Sequence, residues 1–304
     1  MSWLIVGTVP YEDFPLVNAP CALADGQLRV GDRALPIIRG TAALLAAACS
    51  AADVLGLDPP WALMAGDIGR GDGSVRVYRH LVEDPRDLTD RLIVFHYLQP
   101  DVDWHNKTLM KIEELTDKPL LVADAGYMYV AKMSGFASSY DLFTPDAGEM
   151  AFLADETAPH PFYTRGFLLQ EEEEVPQLVR RAYENENAAR YLLVKGRRDL
   201  VASMNGIMAE ISDPRVESME PIGGTGDSLT GIVAALLASG RSLPEAAELG
   251  AKTNRLMGLL ADPTPAFSVD ELLPMLPEAL ERAVSDQASS SFSCPGGAPC
   301  SREK

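Results

Sequence analysis

The sequence predicts an α/β protein: three layers, with helices on both faces of a mostly parallel central sheet that carries an antiparallel edge. Three observations carry that expectation. From residue 40 onward, short apolar or β-branched runs alternate with amphipathic helical stretches, the pattern of βαβ units. A glycine-rich turn at Gly223 to Gly226 opens directly into a helical run. Late in the chain, two short strand-like runs flank Asn205-Gly206, and doubly wound sheets often end in such a hairpin.

Taken in order, Trp3-Leu4-Ile5-Val6-Gly7 reads as the first strand, and Ala24-Asp25-Gly26-Gln27 as the turn of a hairpin. The first forty residues are therefore expected to extend the sheet or to form an interface. Thr41 is placed to cap an Ala-rich helix that stops at Gly56. Further strands are expected at residues 61–66, 91–98, 119–124, 142–144 and 191–195. The acidic run 171–174 suits the positive N-terminus of a helix through Val179 and Tyr183. Residues 200–204 and 207–211 read as a hairpin with a type I′ turn at Asn205-Gly206, and 232–239 and 245–260 as helices. No repeat and no Pro/Gly/Ser linker interrupts the chain, so residues 1–286 are expected to form a single domain and 287–304 a disordered tail. Cys294 and Cys300 lie in that tail, at a spacing that matches no zinc or thioredoxin pattern.

Composition narrows the function. The 304 residues are 47% apolar and 23% charged, which excludes wholesale disorder. With 26 Lys and Arg against 44 Asp and Glu, the net charge of −18 repels polyphosphate, so neither nucleic acid nor an anionic membrane is an expected partner. The most apolar window, residues 41–57, is broken by Ser50 and Asp53 and falls short of the roughly 18 apolar residues a membrane span needs. The first residues lack a basic stretch and a long apolar run, and the expected location is cytoplasmic. A phosphate-bearing ligand must then be held by a local device that overcomes the global field.

The sharpest candidate for that device is Gly223-Gly224-Thr225-Gly226-Asp227-Ser228-Leu229-Thr230-Gly231. Glycines let backbone N–H groups converge on an anion, and the helix that follows adds its positive end. An acid at the same place repels the anion unless it has a chemical task. The natural task for Asp227 is to accept a hydroxyl proton while the amides stabilise a transferring phosphoryl group. The glycine spacing satisfies neither G-x-G-x-x-G nor G-x-x-x-x-G-K-[ST], so a Rossmann dehydrogenase and a P-loop NTPase are both excluded. A tight turn in which Asp227 merely caps the helix remains open on these residues alone.

Gly-Thr-Gly-Asp-Ser-Leu-Thr-Gly at 224–231 resembles the signature of the ribokinase-like superfamily, and within it the carbohydrate-kinase-like branch of ADP/ATP-dependent NAD(P)H-hydrate dehydratases. Thr144-Pro145-Asp146-Ala147-Gly148-Glu149-Met150 is similar to that branch's Thr-Pro-His-Pro-Gly-Glu-Met, and Leu193-Val194-Lys195-Gly196 to its strand ending in Lys-Gly. Val122-Ala123-Asp124-Ala125 resembles its Asp-Ala-Asp-Ala segment. The resemblance runs from about residue 40 to 260 and implies a ribokinase-like fold. It also implies repair of hydrated NAD(P)H: the ring hydroxyl is phosphorylated by ATP or ADP with Mg²⁺, and phosphate is then eliminated. On this reading Asp227 is the catalytic base, and Gly224, Thr225 and Gly226 form the anion hole. Lys195, Gly196 and Gly226 hold the nucleotide, Asp146 and Gly148 join Asp227 at the substrate, and Glu149 orients Mg²⁺ through water. A homo-oligomer is the implied assembly.

Three positions depart from the family pattern: Asp146 stands for its His, Asp199 for the Thr of Lys-Gly-x-x-Thr, and Val122 for the first Asp of Asp-Ala-Asp-Ala. They keep two alternatives in play, a kinase of a sugar or a vitamin-precursor alcohol on the same fold, and a nucleotide-binding protein without catalysis. Among other features, Arg70 lies in a glycine loop at 65–74 suited to a substrate phosphate or to an ordinary turn. His96 ends an apolar strand and reads more readily as a core histidine than as a ligand-facing one. His80, His105 and His160 show no metal-ligand spacing. Asn254 and Met257 lie on a helix that the resemblance brings near the adenine, although Met at helical spacing is ordinarily core.

Overall fold

A computed structural model describes residues 2–156 and 174–291, apart from the side chains of 288–291. The chain opens with β1 (Trp3–Val9), β2 (Val17–Ala24), β3 (Gln27–Val30) and β4 (Arg33–Leu35), followed by α1 (Thr41–Leu55). Alternation then sets in: β5 (Trp61–Gly66), α2 (Asp72–Glu83), β6 (Leu92–His96), α3 (Val102–Glu113), β7 (Leu120–Ala123), α4 (Gly126–Met133), β8 (Leu142–Phe143) and α5 (Ala147–Ala154). After α6 (Val175–Glu184) come β9 (Tyr191–Val194), β10 (Asp199–Ser203) and β11 (Gly206–Ile211). The chain continues with α7 (Thr225–Ala238), α8 (Leu243–Ala261), α9 (Val269–Leu272) and α10 (Leu276–Ser291). Most of the acidic run 171–174, His160 and both tail cysteines lie outside the described residues, and α10 carries the helix to Ser291.

The sheet runs β11-β10-β9-β8-β7-β6-β1-β5-β2-β3-β4. Its six central strands, from β9 to β5, are parallel. Antiparallel strands flank them at both ends, where one such edge was expected: β10 and β11 beyond β9, and β2, β3 and β4 beyond β5. The first forty residues thus extend the sheet. The two hairpins turn differently. Ala24 pairs with Gln27 across Asp25 (φ 54) and Gly26 (φ 72), both left-handed as a type I′ turn demands. In the second hairpin Ser203 pairs with Gly206, so Met204 and Asn205 form the bend and only Gly206 (φ 108) is left-handed. The expected type I′ turn at Asn205-Gly206 gives way to a turn closed by a left-handed glycine, because neither central residue has positive φ.

The central strands are buried on both faces: β1 is buried along its whole length and, but for Thr8, carries no polar side chain in place of an alternating pattern. Trp3 and Ile5 face the layer of α1, α7, α8 and α10, while Leu4 and Val6 face α2 to α6. The Ala-rich composition of α1 lets α7 approach closely: a Cβ on Gly231 would stand 2.2 Å from the Leu44 carbonyl oxygen. The N-cap of α1 is Gly40, at φ 70, and not Thr41. The Thr41 hydroxyl is used elsewhere, donating to the Thr8 carbonyl (2.8 Å) and lying 2.9 Å from His96 Nδ1. Gly56 ends the helix in the left-handed conformation, as expected.

In the layer of α2 to α6, buried His105 meets the Tyr140 hydroxyl at 2.9 Å. Burial pushes its pKa down to about 4, against the small upward pull of Asn106. The unfolded chain takes up this proton near pH 6.5, so the contribution is complete above 6.5 and is lost progressively as pH falls toward 4. Its size is about 3 kcal/mol. Urea unfolding at pH 7 and pH 4.5 is expected to show a smaller acid loss in His105→Gln than in the parent; equal losses would show that this ring does not set the slope.

Candidate active site

The parallel strands deliver the site at their C-terminal ends, where α/β sheets place ligands. Beyond β8 and β9 the chain holds one more parallel step, an Asp146–Lys195 bridge with the Lys195 amide donating to the Pro145 carbonyl at 2.7 Å. That step sets the Thr-Pro-Asp and Lys-Gly segments side by side. From the opposite layer, Gly224 (φ 98) turns the chain into α7, and a Cβ there would meet Arg39 Cα at 3.0 Å. The first turn of α7 places Thr225, Gly226 and Asp227 on a cavity of about 500 Å³. Lys195, Gly196, Asp146, Glu149, Asp124 and Tyr97 line the same cavity.

Asp227 is clamped through both oxygens. Oδ2 accepts the Gly40 amide at 2.6 Å, and Oδ1 lies 3.0 Å from His96 Nε2. Burial alone would raise its pKa; the hydrogen bond and charge of His96, then Lys195 and the Gly40 amide, bring it below the ordinary carboxylate value. A carboxylate can accept about four hydrogen bonds, so acceptor capacity remains on a group that is fixed and ionised. Removal of a hydroxyl proton needs such an arrangement. The amides of the first helical turn have no acceptor within the helix and are free for an anion.

Lys195 Nζ donates to Asp124 Oδ1 at 2.8 Å, and the Thr230 hydroxyl donates to Asp124 Oδ2 at 2.7 Å. Burial disfavours the ammonium, but the charges of Asp124 and Glu149, the Asp124 hydrogen bond and Asp227 keep its pKa above the ordinary lysine value. A Cβ on Gly226 would stand 3.5 Å from Nζ, so the glycine leaves this ammonium its room. Asp146 and Glu149 form a capping box on α5: Asp146 Oδ1 accepts the Glu149 amide (2.7 Å) and Glu149 Oε2 accepts the Asp146 amide (2.9 Å). Burial and the charges of Asp146 and Asp124 push Glu149 up to about 8, against the pull of Lys195.

The fold thus brings together Gly224, Thr225, Gly226, Asp227, Lys195, Gly196, Asp146 and Glu149, whereas Gly148 lies in α5 off the cavity wall. Asp199 also lines the cavity, but its carboxylate is engaged: it takes Arg255 Nε (2.8 Å) and the Gly196 amide (3.0 Å). Arg255 in turn donates to the carbonyls of Gly196, Arg197 and Ser212, locking the turn after Lys195. Asn254 lines the cavity and accepts from the Ser228 hydroxyl (3.1 Å), while Met257 is core. The glycine loop at 65–74 is filled by its own acid: Asp67 accepts the amides of Gly69, Gly71 and Ser74 and the Ser74 hydroxyl. Arg70 pairs with exposed Glu12 at 2.9 Å, away from the cavity.

Sequence reasoning did not select His96 or Asp124 as site residues. Both are buried; the local signals were an apolar strand ending in His96 and, for Asp124, its place in the segment that resembles Asp-Ala-Asp-Ala. His96, Asp124 and Asp227 also offer ligand atoms within 4.8 Å of one another, and Lys195 pairs with one of the two carboxylates, Asp124, at 2.8 Å.

The NAD(P)H-hydrate dehydratase family model matches residues 100–277, which include Asp124, Glu149, Lys195 and Asp227. An uncharacterized protein of Methanocaldococcus jannaschii is 40% identical over 223 residues, 73% of this chain and 91% of its own. The ADP-dependent (S)-NAD(P)H-hydrate dehydratase of Cenarchaeum symbiosum is 30% identical over 164 residues, 52% of each chain. Among solved structures, the Bacillus subtilis ADP/ATP-dependent NAD(P)H-hydrate dehydratase co-crystallized with ATP/Mg²⁺ superposes with a TM-score of 0.53 at 16% identity, over 93% of this chain and 90% of that one, a likeness of fold. The α/β architecture expected from the residues and the ribokinase-like fold implied by the resemblance are both borne out, and the chain belongs to the NAD(P)H-hydrate dehydratase family.

Proposed function

We propose that this protein removes water from hydrated NAD(P)H by phosphorylating the ring hydroxyl and eliminating phosphate. The observation that carries the reading is a clamped, ionised Asp227 beside the free amides of Thr225 and Gly226 and the buried Lys195, all on one cavity. Asp227 takes the hydroxyl proton as the oxygen attacks the terminal phosphorus of the nucleotide, whose bridging P–O bond breaks. The helix amides and Lys195 hold the charge that develops on the transferred group. The ring nitrogen lone pair then forms C=N as the C–O bond breaks and its electron pair leaves with phosphate. A proton from the neighbouring ring carbon passes to the departing phosphate, which restores the ring C=C.

The site suits a magnesium ion. Acids line the cavity, among them Asp124, Asp146, Glu149 and Asp227 about the Lys195 ammonium, and the capping box leaves Asp146 and Glu149 each a second oxygen, that of Glu149 also accepting the Tyr129 hydroxyl at 3.4 Å. Those two residues would hold the ion, which offsets phosphate charge when bound. The C. symbiosum and B. subtilis proteins support ADP or ATP as donor. A second reading, a kinase of a small alcohol, is favoured by Asp146, whose carboxylate on the cavity wall repels a dinucleotide pyrophosphate.

The test mixes the protein with hydrated NADH, Mg²⁺ and ATP or ADP, following the dihydropyridine absorbance. Regain that requires nucleotide is the expected result. No regain, in protein that thermal shift shows to bind nucleotide, overturns the reading, and a stable phosphorylated alcohol would establish the kinase.

A further inference from the structure

Tyr97 follows β6 in the left-handed region, at φ 49, where an aromatic L-residue crowds its own backbone. Its neighbours enforce the conformation. The Thr8 hydroxyl donates to the Tyr97 carbonyl, and the ring stands at 83° to His96 with centroids 4.3 Å apart. Beneath it, a Cβ on Gly40 would be 3.7 Å from the ring. The strain sends two successive side chains to opposite duties: His96 turns inward against Asp227, and Tyr97 lines the cavity with 49% of its surface exposed. Core packing does not explain an aromatic ring held half-open by a costly backbone. Burial and the charges of Asp227, Glu149 and Asp124 hold the pKa of its hydroxyl above the ordinary value, against the pull of Lys195.

We propose that Tyr97 is the ring platform of the site, its face stacking on the six-membered nitrogen heterocycle whose hydroxyl Asp227 deprotonates. The identity of that heterocycle rests on the dehydratase reading; the platform itself rests on the cavity. The electron-rich face of a phenol suits a flat ring, and more so one that turns cationic. The substrate ring does so as its nitrogen expels phosphate and before the neighbouring carbon loses its proton. Tyr97 therefore contributes to binding and, separately, to the elimination.

Two variants test this. Tyr97→Gly removes the ring while relieving the left-handed strain, so its thermal midpoint is expected to hold. Its affinity for NADH, read by titration of the dinucleotide's own fluorescence, is expected to fall about tenfold. Single-turnover repair of hydrated NADH at saturation is expected to slow by a further tenfold or so. Tyr97→Phe keeps the face and should stay within about threefold on both readouts. NADH affinity unchanged in Tyr97→Gly, or reduced as much in Tyr97→Phe, overturns the platform. If the wild type repairs nothing but its NADH binding still depends on the ring, the platform stands and the dehydratase reading fails. If the wild type repairs and Tyr97→Gly matches it, the reading stands and the platform fails.

Discussion

Asp227→Asn is expected to lower single-turnover repair by about 10³-fold while leaving nucleotide affinity within about threefold. The substitution keeps size and shape, so nothing is displaced from the first turn of α7. On the proposed mechanism, what it removes is the ionised oxygen that receives the substrate proton. It also spoils the clamp: both native oxygens accept, one from the Gly40 amide and one from His96 Nε2, whereas an asparagine must point its NH₂ at one of those donors. The nucleotide amides of Thr225 and Gly226 come from the backbone and survive the change. A loss of less than tenfold would show that another group takes the proton. Weakened nucleotide binding with normal turnover at saturation would instead make Asp227 a helix cap, the alternative that the loop residues alone leave open.

How far the site was legible follows from where each signal lies. The Gly224–Asp227 loop and Lys195-Gly196 are local: glycines and an acid open α7, a lysine and a glycine follow the end of β9, and the chain needs no distant partner to advertise them. Asp124 and His96 are different. Each is one polar residue at the end of an apolar run, and its meaning comes from residues far along the chain: Lys195 and Thr230 for Asp124, Asp227 and Thr41 for His96. Asp199 shows the same limit from the other side. As a departure from a motif it kept other functions in play; in the fold it is the partner of Arg255, a residue that no spacing rule connects to it. The parallel core was readable because strands buried on both faces are continuously apolar. The edges were less so, since Asn205-Gly206 carries the composition of a type I′ turn and adopts another.

Lys195→Met is expected to cost about 3–5 kcal/mol in urea unfolding and to abolish repair. Asp124 is 1% exposed, and its carboxylate is satisfied by Lys195 (2.8 Å), the Thr230 hydroxyl (2.7 Å) and the Ala125 amide (2.8 Å). Among the described residues the lysine, at hydrogen-bond distance, is its close cationic partner, and His96 Nε2 lies 4.0 Å away. Methionine fills most of the lysine's volume and none of its charge, which leaves a carboxylate ion in a low-dielectric interior. Stability and chemistry then separate in the double variant Lys195→Met/Asp124→Asn. Neutralising both partners removes the buried charge, so most of the lost stability should return, because the cost of a broken pair is the orphaned ion more than the missing attraction. Activity should not return, since on the proposed reading the ammonium beside Gly226 is also the fixed charge that meets the phosphates. Recovery of both would reduce Lys195 to a counter-ion for Asp124. Recovery of neither would mean that the pair organises the cavity beyond its charge, through the Asp146–Lys195 bridge that joins the ends of β8 and β9.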